Sequence, residues 1–174
     1  LLPATAFAAI PDEYAAPVAE NRMNVYEING VTGDITDNKV VYTVNSKENT
    51  EDWNTYSSEG GDENYIYVGL SVAMPENAAS LEYNGEGNPD GMQSATLEGG
   101  VFRYWFPVAE KNSDDSFSLL CGGRTYTLLL NWLDGNSTSV KKESVTVECN
   151  LAASLAVAQV GNYTYQTLAD AVNA

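Results

Sequence analysis

Tyr65-Ile66-Tyr67-Val68-Gly69-Leu70-Ser71-Val72-Ala73-Met74 decides the fold. Ile66, Val68, Leu70, Val72 and Met74 form one unbroken apolar row, and the residues between them form a milder one. Side chains alternate across a strand with a period of two, so this segment is a strand with one face to bury completely. Residues 101–108 and 125–133 make the same demand. The first is dense in aromatics (Phe102, Tyr104, Trp105, Phe106) with an outward Arg103, and the second alternates Tyr126, Leu128, Leu130 and Trp132 against Thr127, Leu129 and Asn131. Three such faces need a second sheet to cover them, which predicts a β-sandwich. Trp105 and Trp132 alternate with apolar neighbours and are expected in its core.

Working outward, residues 23–28, 39–44, 79–83, 93–97, 116–120 and 139–149 read as further strands. Clusters of Gly, Asn, Asp and Pro at 30–34, 85–91 and 112–115 supply turn chemistry between them. No helical period of useful length precedes residue 160. Asp134-Gly135-Asn136-Ser137 predicts a hairpin; with Gly135-Asn136 as a two-residue turn, Tyr126 faces Val145 and Thr125 faces Thr146. Cys149 then falls opposite Gly122, one place from Cys121, within plausible reach of a bridge. A disulfide closing that loop of about 28 residues would contribute about 3–4 kcal/mol, and two buried thiols are the alternative. Residues 45–64 form a long polar stretch carrying Trp53 and Tyr56 among acidic residues. Loops of that length are uncommon in compact folds and are often functional or disordered.

The chain has 174 residues, 44% of them hydrophobic and 18% charged, which is a globular composition with room for one real core. Its 24 acidic residues against 8 basic give a net charge of −16. Such a surface repels phosphate backbones and anionic lipid, so neither nucleic acid nor membrane insertion is an expected partner. There is no histidine and there are only two cysteines. Triads built on histidine, imidazole acid–base work and the usual zinc sites are therefore missing. Carboxylate pairs remain the main catalytic route, but nothing isolates a pair among so many acids, and no enzyme is expected. Calcium is a candidate at Asp34 and Asp37, the Glu48–Asp52 group, Asp62 with Glu63, Asp90, and Asp114 with Asp115, yet no EF-hand loop is completed and turn-forming acids are the favoured reading, so no cofactor is expected.

Leu1 to Ala8 reads as the trailing edge of an apolar stretch with an Ala6-Phe7-Ala8 cleavage site, which predicts the remnant of a secretory signal; a short apolar strand is the plainer alternative. No other stretch approaches the ~18 apolar residues of a membrane span. The expected location is extracellular, secreted or attached to a cell surface.

Val101 to Val108, with Tyr126-Thr127-Leu128 running into Trp132-Leu133-Asp134-Gly135-Asn136, resembles immunoglobulin-like modules in large secreted or surface proteins of Gram-positive, gut-type bacteria. Tyr126 sits where such sandwiches place a tyrosine corner, with an ordinary core aromatic as the alternative. The segment from Val157 to Ala174 is similar to the opening of a following repeat or β-helix domain in the same proteins: a short strand, then Thr167 as N-cap with Asp170 three places on and Leu168, Ala171 and Val172 on one side.

The resemblance implies an all-β, immunoglobulin-like antiparallel β-sandwich with a short C-terminal strand–helix start. The expected divisions are a signal remnant at 1–8, an N-terminal lead at 9–21, the sandwich at 22–154 and the start of a following domain at 155–174. The expected function is a non-catalytic extracellular spacer or presentation module, monomeric within a longer chain. The alternative is an adhesin or carbohydrate-binding module in which Trp53 and Tyr56 meet a glycan or a host or surface protein; those two rings folding back to cap the sandwich is the other reading of them.

Overall fold

The computed structural model describes residues 9–28, 30–45, 65–111, 113, 117–119, 124–155, 157–161, 163–165 and 167–173. These residues form β1 (Met23–Tyr26), β2 (Val31–Thr36), β3 (Lys39–Val44), β4 (Tyr65–Ala73), β5 (Ser80–Asn84), β6 (Gln93–Ser94), β7 (Val101–Lys111), β8 (Phe117–Leu119), β9 (Arg124–Leu133) and β10 (Ser139–Leu151). A small appendage follows, made of β11 (Ala158–Val160), β12 (Tyr163–Tyr165) and helix α1 (Leu168–Val172). Among the described residues no helix reaches seven residues, and none is long and apolar enough to cross a membrane. The chain is an all-β sandwich of two sheets.

One sheet runs β1-β4-β7-β8 and the other β2-β3-β10-β9-β5-β6. The period-two rows face each other between them. Val68, Leu70 and Val72 of β4, with Phe102 and Phe106 of β7, meet Leu128, Leu130 and Trp132 of β9 and Val145 and Val147 of β10. Each large apolar side chain buried in this way contributes about 1.5–3 kcal/mol. Tyr42 from β3 lies wholly inside, and its hydroxyl donates to the Gly69 carbonyl of the opposite sheet at 2.5 Å. Burial pushes the Tyr42 phenol far above its ordinary range, so it remains a donor.

Several expectations need correction. Residues 31–36 are a strand, not part of a turn; the reversal lies at Asp37-Asn38, both at positive φ, as a tight two-residue hairpin requires. The β9–β10 hairpin is displaced by two residues from the expected pairing, for Tyr126 faces Val147 and Thr125 faces Glu148. Two local features cause this. Asp134 accepts from the backbone N–H of Asn136 and of Thr138 at 2.8 and 2.9 Å, which spreads the turn over 134–138. A register shift between Ser139 and Lys141 follows it.

Nor is the sandwich wholly antiparallel. Val40 to Val44 pairs with Val147 to Leu151 in parallel; the chain passes from one sheet to the other before β2, where Gly30 takes φ 87°. In the appendage, Tyr165 and Ala171 are buried. Leu168 and Val172, expected beside Ala171, are 65% and 77% exposed: five helical residues bury only one position of the stripe.

Candidate functional site

Among the described residues, the most elaborate polar arrangement lies where the N-terminal lead meets both sheets. Residues 16–18 run beside β10: Val18 N–H donates to the Ser144 carbonyl at 2.9 Å, and Ser144 N–H donates to the Ala16 carbonyl at 3.0 Å. Pro17 pairs with Ser144 in parallel. The lead also crosses the outer face of the six-stranded sheet. There Tyr14 is buried with the Lys142 ammonium 5.4 Å from its ring centre, and Lys142 bonds Glu13. That hydrogen bond holds Lys142 above the ordinary lysine range, while burial pushes the Tyr14 phenol up.

Arg22 closes the arrangement. Its Nη1 donates to Glu143 Oε2 at 2.9 Å, and its Nε and Nη2 both donate to the Ala73 carbonyl, at 3.0 and 2.8 Å. Glu143 belongs to β10 and Ala73 to β4, so one guanidinium ties the two sheets together. Trp132 Nε1 donates to Glu143 Oε1 at 2.8 Å, and the Arg22 guanidinium lies 5.7 Å from the Trp132 ring centre. Lys141 adds a second cation 3.2 Å from Glu143. The Glu143 side chain is 0% exposed and Arg22 only 15%. The planar fork of arginine suits such a site, reaching a carboxylate and a carbonyl at once. A trace of this was legible, since Glu143 occupies the inward row continued by Val145, Val147 and Cys149.

The candidates expected from sequence fall elsewhere. Trp53, Tyr56 and Cys121 lie outside the described residues, as do Asp62, Asp114 and Asp115. Cys149 is buried in the core, in register with Arg124 of β9 and Tyr42 of β3. The Tyr126 hydroxyl stands 3.5 Å from the Pro107 carbonyl, 19 positions back on the facing sheet, and the ring packs on Phe106. Trp132 is in the core as expected, but Trp105 is not. It shares the outward row of Arg103, stacks on Tyr26 with centroids 5.9 Å apart, and lies across Gly69, where any Cβ would stand 2.5 Å from its ring. Among the described residues, no group of three or more metal-ligating side chains converges.

The lead and β3 run alongside β10 in its own direction, locked at one end by Arg22 and Glu143. Compared with protein-family models, with curated proteins and with solved structures, the chain matches none of them.

Proposed function

We propose that this chain is a non-catalytic, immunoglobulin-like extracellular module that spaces and presents its neighbours in a longer bacterial secreted or surface protein. One observation carries the reading: the N-terminal lead at Pro17 and then β3 both run parallel to β10, the last strand of the sandwich. The chain therefore arrives beside Ser144 and departs beyond Leu151, about 23 Å further along at ~3.3 Å per residue. Ends that emerge at opposite poles let modules follow one another in a line. Antiparallel first and last strands would bring them out together.

The strand pairing supports the immunoglobulin-like part. Taking β1, β4 and β7 as A, B and E, and β5, β9 and β10 as C, F and G, the two sheets divide as A-B-E and C-F-G. The fourth strand of the first sheet departs from the pattern, since β8 follows E where D would precede it. Val157, Val160, Leu168 and Val172 stand exposed beyond the departing end, which supports the reading that a further unit packs there.

The test is single-molecule pulling by the two chain ends. The backbone bonds joining 40–44 to 147–151 are then loaded in shear and must break together, giving one high-force event. Pulling instead between the N-terminal end and Gly135 should open the molecule progressively at lower force. Equal forces in the two geometries would overturn the spacer reading.

A further inference from the structure

Beside β6, the outer face of the six-stranded sheet carries a depression of about 400 Å³, of the size small-ligand sites have. Pairing places its side chains in two rows. Ser94, Glu82 and Asn131 stand abreast in one, and Ser80, Leu133 and Ser139 in the next, two residues along the strands. Ser137, at φ 63° in the hairpin turn, closes the end. The turn is stiffened by the two backbone bonds to Asp134, so that wall is fixed before anything binds.

The polar groups are orientated by one another. Ser139 Oγ donates to Asn131 Oδ1 at 2.6 Å, and Asn131 Nδ2 donates to Glu82 Oε2 at 3.1 Å. Those bonds assign the Asn131 amide and leave it one N–H and one lone pair to offer. Glu82 keeps a whole oxygen, Oε1, as acceptor, and the hydroxyls of Ser80, Ser94 and Ser137 can each donate and accept. Half-buried Leu133 supplies an apolar floor in the second row.

We infer that this depression binds a neutral saccharide, one or two hexose rings of a glycan. Vicinal hydroxyls need donors and acceptors interleaved at short range, which the carboxylate, the amide and the serines provide. Charge selects the class. An anionic ligand would meet Glu82 on a chain of net charge −16. A metal ion would find one carboxylate and no second acid among the described lining residues. The site stands apart from the spacer reading.

The whole chain would be screened on an array holding neutral, sialylated and sulfated glycans. Binding to neutral glycans is expected, weakened about tenfold or more by Glu82→Ala and by Asn131→Ala, and unchanged by Glu98→Gln in the turn that leads into β7. Titrating the bound glycan into the parent chain should move the Asn131 side-chain amide resonances, a readout that holds even where a substitution unfolds the protein. The inference is overturned by an absence of neutral hits, by hits confined to anionic glycans, or by an Asn131 amide that stays still at saturation. Pulling forces measured without glycan test the spacer reading separately.

Discussion

Glu143 is a carboxyl group with none of its side chain in contact with water, in a row otherwise given to Val145, Val147 and Cys149. Desolvating a carboxylate costs several kcal/mol, so its partners decide the sign of the arrangement. Arg22, Trp132 and Lys141 each supply a donor or a charge. Removing one member of a buried pair leaves the other uncompensated. Glu143→Ala should therefore destabilise the fold by about 3–5 kcal/mol in urea unfolding. The double variant Arg22→Met/Glu143→Leu should recover much of that loss, giving less than the sum of the single effects. Additive losses would mean that the two residues act independently.

At the scale of elements, the β9–β10 hairpin shows how one side chain sets a register. Asp134 is held below the ordinary carboxylate range, chiefly by the Thr138 N–H and then by that of Asn136. A depressed folded value means that ionised Asp134 stabilises the fold above the ordinary carboxylate range, and that this stabilisation fades as pH falls through the lowered value. Asp134→Asn keeps an acceptor oxygen but cannot ionise. The melting temperature of the parent should exceed that of the variant at pH 7, and the gap should close in acid. A constant gap would show that the carboxylate charge has no part in the turn.

The long strands β4, β7, β9 and β10 were legible because each carries a full period-two row. β2 was not, since Gly33 and Asp34 resemble turn chemistry while Asp37-Asn38 makes the actual reversal. The register slipped because Gly135-Asn136 looks like a complete turn, whereas the capping bond from Thr138 lies beyond it. Trp105 was assigned to the core on its apolar neighbours, although Arg103 two residues earlier already marked that row as outward. The saccharide depression has no sequence signature at all. It is assembled from β5, β6, β9, the start of β10 and a turn, and only pairing brings Glu82 to Asn131.

For the molecule as a whole, a net charge of −16 on 174 residues means that compactness works against self-repulsion. Salt shortens the reach of exposed charges from about 30 Å at 0.01 M to about 3 Å at 1 M. The Arg22–Glu143 pair is shielded from that screening by burial. Raising salt from about 0.01 M to about 0.5 M should therefore increase the melting temperature by several degrees, and a fall would show that surface pairs such as Lys39–Glu148 outweigh the repulsion.

The parallel seam between β3 and β10 also governs the order of events in time. Val40 finds its partner Val147 roughly a hundred residues later in the chain, a closure across almost the whole sandwich of the kind that makes folding slow. On a ribosome, β3 would wait with one edge unsatisfied until β10 had been synthesised. β10 is therefore the strand that closes the sandwich, and a nascent chain in which it is not yet made lacks the partner for that edge of β3.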